Sequence, residues 1–338
     1  MTYFQIVCAA AILNLLSSLG HAQEETASAQ LQRPVMSVDL DCKPFPGGLR
    51  FSADGKIVWT DRFEARSVGD GQRVDSSQFN RLKKSHQIID LVGNDAPMLI
   101  AVPQSGELLF WDQEDGLRQR VLKQTGKIVA ARYIDRGRRF SLVFSKPPSI
   151  YYGDVESDEN DSTLPLETEI YKSAISPDGN LVAVRNEHDI DIWDVRKGDL
   201  RTKLKLEHKP FSFAFSHDGQ LIATGTSNDN LVRLFDTAQG ELVSELKAHT
   251  KGTIFLGTAV YSLAFAPNGK WLASGGHDGR IVVWDLGDRK PLWQAQIEGP
   301  PIVCSLAFSP DSSLLAGSFE NAGPQRGIRV WKVSGNTD

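Results

Sequence analysis

Short alternating hydrophobic segments, separated by turn residues, run along most of this chain, and residues 261–285 show the pattern most clearly. YSLAF alternates and stops before a proline, which cannot donate a backbone N–H to a sheet. Asn268-Gly269 favours a tight turn, KWLAS follows as a second strand, and HDG at 277–279 leads into the β-branched strand RIVVW. Three such strands, apolar on both faces, are not stable alone in water, so this unit needs similar units beside it.

The same pattern recurs along the chain at intervals of 40 to 50 residues. A polar residue marks the first turn of each unit, at Asp54, Asp95, Asp135, Asp178, Asp218, Asn268 and Asp311. An aromatic residue ends the third predicted strand of every unit except the first, at Trp111, Tyr152, Trp193, Phe235, Trp284 and Trp331. Two markers that stay in phase indicate an internal repeat, with the period of four-stranded propeller blades.

The turns and strand ends resemble those of a known family. The turns read SPDG at 176–179, SHDG at 216–219, APNG at 266–269 and SPDS at 309–312, and the strand ends read IWD, LFD, VWD and FWD. This pattern is similar to that of the WD-repeat (WD40) β-propeller family, most strongly from residue 171 onward and least in the first unit. The resemblance implies an all-β fold, a seven-bladed β-propeller of four-stranded antiparallel blades, in one domain over residues 35–338.

The two ends of this domain are complementary. PVMSVDLDC alternates without a preceding unit, and the last unit stops after residues 327–333, one strand short of a full blade. We predict that residues 35–41 form the outer strand of the last blade and close the ring. An unpaired edge would otherwise be exposed to aggregation.

Residues 1–22 are typical of a signal peptide. The uncharged apolar run IVCAAAILNLLSSL is too short to span a membrane comfortably, and Gly20-His21-Ala22 supplies small residues for cleavage. The start, MTYFQ, has no Lys or Arg, so an uncleaved N-terminal anchor remains the alternative. Polar residues 23–34 predict a flexible linker. We expect an exported protein, periplasmic or secreted, with no membrane span after cleavage.

Composition and cysteine content narrow the function classes. Hydrophobic residues make up 41% of the chain, enough for a large core, and the net charge of −5 argues against a general nucleic-acid binder.

Two cysteines, Cys42 and Cys304, remain after cleavage of the predicted signal peptide. A disulfide between them would lock the ring, but an outer and an innermost strand lie about 14 Å apart, which favours two free thiols.

The unit with the clearest repeat carries a polar set, His249, Ser274, Asp278 and Trp284. In the family that it resembles, such residues form one hydrogen-bonded chain inside a blade. Ser, His and Asp could also suggest a hydrolase triad, but a hydroxyl bonded to the indole favours the structural role. The last unit has Ser318 as its corresponding hydroxyl.

The sequence predicts neither a cofactor nor a metal site. The histidines lie in separate turns without metal-ligand spacing, and no CxxCH motif for haem attachment is present. The acidic run DVESDEND at 154–161 has Glu159 where a calcium loop needs glycine. We therefore expect a solvated loop there.

Two insertions break the repeat and predict a partner-binding surface. TKGTIFLGTA carries Ile254, Phe255 and Leu256, and FENAGPQRG at 319–327 carries Phe319 and Arg326. If the family geometry holds, both insertions emerge on one side of the ring, where loops usually carry recognition. The alternative is that residues 254–256 only cap the neighbouring blade.

Two function classes follow. The first is a non-enzymatic platform that binds a protein or peptide partner outside the cytoplasm. The second is an exported propeller enzyme or small-ligand binder with its site at the central channel. The predicted inner strands FSFAF, YSLAF and CSLAF hold almost no titratable groups, which favours the platform.

Overall fold

A computed structural model describes most of this chain from residue 34 onward, with gaps. The described residues are 34–39, 48–60, 64–76, 86–92, 98–103, 107–112, 116–122, 124, 126–134, 138–226, 229–247, 249, 259–297, 301–321 and 326–333. Every helix or strand element within these ranges is a β-strand, and none of them is a helix that could cross a membrane. The predicted signal peptide and nearly all of the predicted linker lie outside the described residues.

The described strands form seven antiparallel sheets that follow one another in chain order. The first sheet contains β2 (Leu49–Phe51), β3 (Ile57–Thr60) and β4 (Ala65–Ser67). The second contains β5 (His86–Val92), β6 (Met98–Pro103), β7 (Glu107–Asp112) and β8 (Gly116–Val121). The third contains β9 (Ile128–Ile134), β10 (Arg139–Ser145), β11 (Pro148–Asp154) and β12 (Ser162–Pro165).

The remaining four sheets have four strands each. The fourth contains β13 (Lys172–Ile175), β14 (Leu181–Arg185), β15 (Ile190–Asp194) and β16 (Asp199–Leu204), and the fifth contains β17 (Pro210–Phe215), β18 (Leu221–Thr226), β19 (Leu231–Asp236) and β20 (Leu242–Lys247). The sixth contains β21 (Val260–Phe265), β22 (Trp271–Gly276), β23 (Arg280–Asp285) and β24 (Lys290–Gln296). The seventh contains β25 (Pro301–Phe308), β26 (Leu314–Asn321), β27 (Arg326–Lys332) and β1 (Met36–Asp39).

The arrangement of the sheets is that of a propeller and confirms the predicted fold class. The first strands of consecutive sheets contact each other in cyclic order, from β2 through β25 and back to β2. From the second sheet to the seventh, hydrophobic clusters fill the spaces between consecutive sheets, and one more cluster joins the seventh sheet to the first through Val330 and Leu49. Each blade therefore depends on its neighbours for its core, as the apolar faces of the repeat predict.

Side-chain chemistry explains the first turn of each unit. In the fourth sheet the Ser176 hydroxyl donates to Asp178 Oδ1 over 2.6 Å and accepts the Leu181 N–H over 2.9 Å. Gly179 follows with a φ of 69°, a conformation that a residue with a side chain rarely adopts. The same serine–aspartate bond recurs at 52/54, 216/218 and 309/311. The recurring SPDG pattern is therefore the sequence signature of this turn.

The N-terminal strand pairs with the last strand of the chain. Met36 is opposite Val330 and Val38 is opposite Ile328, in an antiparallel arrangement that gives the seventh sheet its fourth strand. The described strand covers residues 36–39 of the predicted 35–41, and the residues that follow lie outside the described ranges. The backbone N–H of Leu49 also donates to Ser305 Oγ over 3.2 Å, which joins the first sheet to the seventh.

The first blade departs from the predicted four strands. In the described residues its sheet has three strands, and the fourth is reduced to a single bridge between Arg66 and Arg73. The segment QRVDS at 72–76 contains one apolar residue, Val74. A strand there would bury little hydrophobic surface, so a full fourth strand gains too little stabilisation to form.

Candidate functional site

The polar set of the sixth unit is one hydrogen-bonded chain. Trp284 Nε1 donates to Ser274 Oγ over 2.9 Å, and Ser274 Oγ lies 2.8 Å from His249 Nε2. His249 Nδ1 lies 3.2 Å from Asp278 Oδ1, which also accepts the backbone N–H of Arg280. Ser274 has no exposed surface and Trp284 is 1% exposed. A substrate cannot reach the Ser274 hydroxyl, so this hydrogen-bonded set stabilises the blade and Ser274 does not serve as a nucleophile.

Strand register explains why the last unit lacks the hydrogen bonds that link tryptophan, serine and histidine in the sixth unit. Ser274 sits two residues beyond Leu272, which is opposite Trp284, whereas Gly317 sits two residues beyond Leu315, which is opposite Trp331. Gly317 therefore occupies the serine position, and the prediction that assigned it to Ser318 is wrong by one residue. Ser318 Oγ and Trp331 Nε1 are both buried without a hydrogen-bond partner in the described part of the chain.

The predicted partner-binding residues do not form one loop in the described structure. Ile254, Phe255 and Leu256 lie outside the described residues. Phe319 is 4% exposed within β26, and the guanidinium carbon of Arg329 lies 4.6 Å from its ring centre. The prediction that places Phe319 in a partner-binding loop is therefore wrong, because the inserted residues lengthen the hairpin instead of leaving it.

Arg326, the second residue named from the predicted loop at 319–327, is also part of the hairpin. It begins β27, and its Nε donates to Glu320 Oε1 over 2.8 Å. Glu320 lies near the end of the preceding strand and is opposite Arg326 in the register. The arginine is therefore held by an ion pair within the hairpin.

The acidic run at 154–161 is only partly a solvated loop. Asp161 Oδ2 forms an ion pair with Arg120 Nη2 over 2.6 Å, and the Asp161 side chain is 7% exposed. The Tyr151 hydroxyl also donates to Asp161. Burial and this carboxylate raise the pKa of Tyr151 above its usual value. The expectation of a fully solvated segment is wrong for Asp161, because β12 returns it to the interior beside a base from another sheet.

Cys304 lies on β25, the innermost strand of its sheet as predicted, and is a free thiol in the structure. Its Sγ lies 3.5 Å from the Ile302 carbonyl oxygen. Burial raises the pKa of this thiol to about 12, so the sulfur is protonated and a poor nucleophile at neutral pH. Cys42 lies outside the described residues.

A row of aromatic side chains lies where the first strands of three consecutive sheets begin. Tyr171, Phe211 and Tyr261, here called the aromatic row, each precede the first residue of the following turn by five positions. The rings of Phe211 and Tyr261 have centroids 5.2 Å apart, and Tyr171 is 54% exposed. Cys304 has the equivalent position in the seventh sheet. The row therefore spans the fourth to sixth sheets at the edge where the loops from the preceding sheets arrive.

Two cations adjoin the aromatic row. Lys172 Nζ donates to the Phe211 carbonyl oxygen over 2.8 Å, and Arg185 Nη1 donates to the Pro210 carbonyl oxygen over 2.7 Å. Lys172 is exposed as a residue, but reduced hydration of its ammonium group, together with the charge of Arg185, lowers its pKa to about 8. The Arg185 guanidinium carbon lies 5.5 Å from the ring centre of Tyr171. This pair joins the fourth sheet to the fifth.

Sequence reasoning missed these two cations. An available signal was the alignment of the first strands, in which Lys172 replaces the serines at 212, 262 and 305. A charged residue at a position that is otherwise a small hydroxyl marks a departure from the repeat. Its position opposite Arg185 depends on strand pairing, which the sequence alone did not indicate.

The opposite edge of the fourth and fifth sheets has a polar cleft of about 500 Å³. Its lining includes Asp178, Asp218, Arg196 and Lys197. Both aspartates accept a serine hydroxyl and a backbone N–H within their own turns. No group of three or more His, Cys, Asp or Glu side chains within the described ranges is positioned to hold a metal ion.

Comparisons with known proteins agree with this fold. The family model "WD domain, G-beta repeat" matches residues 201–236, 240–285 and 293–332. The chain is 33% identical over 158 residues to small ribosomal subunit protein RACK1y of Oryza sativa, covering 44% of this chain and 42% of that protein. It is 31% identical over 171 residues to the U3 small nucleolar RNA-associated protein 18 homolog of Arabidopsis thaliana, covering 49% of this chain and 29% of that protein.

A third relative is WD repeat and SOCS box-containing protein 1 of Takifugu rubripes, which is 30% identical over 155 residues. That alignment covers 44% of this chain and 34% of the relative, so the similarity extends over less than half of each of these three proteins. The chain therefore contains WD40 repeats within residues 201–332, and its seven described sheets follow one another in the order of a propeller.

Proposed function

We propose that this protein is a non-enzymatic platform that binds a protein or peptide partner outside the cytoplasm, with the aromatic row in the contact surface. The observation that carries the proposal is the position of Tyr171, Phe211 and Tyr261 at one edge of three adjacent sheets. Aromatic side chains are enriched where proteins bind each other, because they bury a large area with few rotatable bonds.

The chemistry of the interior supports a binding role. The Ser274 hydroxyl is buried and bonded to Trp284 and His249, and the thiol of Cys304 has a raised pKa. A net charge of −5 favours a protein partner over a nucleic acid. Similar proteins whose names place them in assemblies, such as a small ribosomal subunit protein, support the same role.

The proposed location rests on residues 1–22, whose apolar run and small residues are typical of a signal peptide. Cell fractionation and intact mass measurement of the native protein test it. We expect the protein in the exported fraction, with a mass that corresponds to a chain starting after Ala22. A cytoplasmic protein that retains residues 1–22 would refute this part of the proposal.

Affinity capture from the exported fraction tests the platform. The wild type is compared with the double variant Tyr171→Ala/Phe211→Ala, and the captured partner is then titrated against each purified protein. Leu200→Ala/Leu242→Ala is the matched control, because these leucines are 43% and 51% exposed on outer strands. We expect the aromatic-row variant to lose about tenfold or more in affinity and the control to bind like the wild type.

Two further results would change the proposal. If wild type and both variants bind the partner equally, the aromatic row is not the contact surface, and a variant lacking residues 252–258 tests the inserted loop next. A metal ion or chromophore that copurifies with the native protein would instead favour an enzyme or small-ligand binder at the central channel.

A further inference from the structure

Lys172 and Arg185 are directly opposite each other on β13 and β14. Cross-strand neighbours of like charge repel, so this pairing reduces the stability of the fourth sheet. Each cation donates one hydrogen bond to a backbone carbonyl of the fifth sheet, at Phe211 and Pro210. A carbonyl oxygen satisfies a donor but does not neutralise its charge.

Several other partly buried arginines of this protein have carboxylate partners. Arg233 pairs with Asp229 over 2.6 Å, Arg120 pairs with Asp161 over 2.6 Å, and Arg66 pairs with Glu64 over 2.6 Å. Among the described residues, no carboxylate lies within ion-pair distance of Lys172 or Arg185. Arg185 Nε is also buried without a hydrogen-bond partner in that part of the chain. The pair is therefore left with charge and donor capacity that the described residues do not use.

One acidic side chain near the cations is engaged elsewhere. Glu169 accepts a hydrogen bond from the Tyr171 hydroxyl over 2.9 Å. This bond places one negative charge beside the aromatic row without neutralising the two cations. An incoming dianion would be repelled by Glu169 more strongly than a monoanion would, which favours a carboxylate over a phosphate as the missing partner.

We propose that Lys172 and Arg185 bind an aspartate or glutamate side chain of an acidic segment in the partner protein, while the aromatic row contacts apolar residues of the same segment. This inference rests on the proposed platform function and names the chemistry of its partner. Tyr171 lies against Arg185, and Lys172 is bonded to the backbone of Phe211, so the cations and the aromatic row form one continuous surface. A guanidinium and an ammonium together can hold both carboxylate oxygens by charge-assisted hydrogen bonds.

A synthetic peptide tests this directly with the whole mature protein. The probe is the hexapeptide Glu-Glu-Phe-Glu-Glu-Phe, acetylated at its N-terminus and amidated at its C-terminus. The comparison peptide has glutamine in place of every glutamate. We expect the wild type to bind the glutamate peptide about tenfold more tightly at low salt, with a preference that falls as salt is added. Lys172→Met/Arg185→Met should abolish the preference, which isothermal titration calorimetry measures.

The matched control is Arg196→Met/Lys332→Met, which removes the same two charges at the opposite edge of the sheets. It should keep the preference, and thermal melting establishes that both double variants remain folded. Equal binding of the two peptides by the wild type, or equal loss in both double variants, would overturn the inference. A phosphoserine peptide that binds more tightly than the glutamate peptide would overturn the assignment to a carboxylate.

The captured partner separates this inference from the proposed function. If the partner binds the wild type and Lys172→Met/Arg185→Met equally, the cation pair has no role in binding and the platform function still stands. If aromatic-row substitutions also leave binding unchanged, the proposed contact surface itself is wrong.

Discussion

The Trp284 indole N–H donates to the Ser274 hydroxyl over 2.9 Å in the sixth sheet, whereas the equivalent Trp331 faces Gly317 in the seventh. A Cβ atom at Gly317 would lie 3.1 Å from the Trp331 ring. In the seventh sheet the tryptophan ring therefore occupies the space that a serine side chain would need. Two equivalent tryptophans are thus held differently, one by a hydrogen bond and one by packing.

Two serine-to-alanine variants test this difference. Ser274→Ala removes the partner of both Trp284 and His249, so it should lower the free energy of unfolding by about 1–3 kcal/mol. Ser318→Ala removes a buried hydroxyl that has no partner among the described residues, so stability should change by less than about 0.5 kcal/mol or rise. Urea unfolding of both variants measures the contrast, and equal losses would contradict it.

The ion pair between Arg120 and Asp161 should contribute strongly to the third sheet. Asp161→Asn leaves the charge of Arg120 without its carboxylate in a buried site, with an expected loss of about 3 kcal/mol in unfolding free energy. Glu159→Gln is the control, since Glu159 is exposed in the same acidic run and should change stability by less than about 0.5 kcal/mol. A small effect of Asp161→Asn in chemical denaturation would show that water compensates for the lost carboxylate.

The N-terminal strand should stabilise the entire ring. Met36 is 5% exposed and packs in the cluster that joins the seventh sheet to the first, so Met36→Ala should cost about 2 kcal/mol or more. Val35→Ala is the neighbouring control, because Val35 is 47% exposed and its loss removes little buried area. Thermal unfolding should remain a single transition in both variants, at a lower temperature for Met36→Ala.

The pKa of Lys172 predicts a rise of stability at alkaline pH. In the folded protein this lysine loses its proton near pH 8, whereas in the unfolded chain it keeps the proton until about 10.5. Between these values the unfolded state binds more protons, so this residue makes the free energy of unfolding increase with pH. Reduced hydration of the ammonium group is the main cause of this low pKa, and the positive charge of Arg185 lowers the pKa further.

Lys172→Met should therefore remove that rise and be at least as stable as the wild type at pH 7. Urea unfolding at pH 7 and 9.5 measures it, with Lys332→Met as the control on an exposed strand end. A lower stability of Lys172→Met at pH 7 would show that the bond to the Phe211 carbonyl outweighs the cost of reduced hydration and of repulsion from Arg185.

The local pattern of the sequence was sufficient to predict the fold. The period of 40 to 50 residues, the turn aspartates and the strand-end aromatics are local features, because each turn and hairpin is formed by residues close in the chain. The pairing of β1 with β27 was also predictable, since a closed arrangement of sheets leaves one strand position for the N-terminal segment. Residues 249, 274, 278 and 284 could be grouped because the family that the sequence resembles has such residues in one hydrogen-bonded chain.

Only the tertiary structure decided which polar side chains meet and which have no partner. Gly317 and Ser274 hold equivalent positions in the same register, so Ser318 lies one residue further on, and a shift of one residue moves a side chain to the other face of a strand. Arg120 reaches Asp161 across 41 residues, and Lys172 meets Arg185 across a hairpin. The periodicity of the sequence indicates which residues are apolar. Contacts between charged groups depend on how the sheets pack in three dimensions. The arrangement of charges at the candidate site could therefore be described only from the structure.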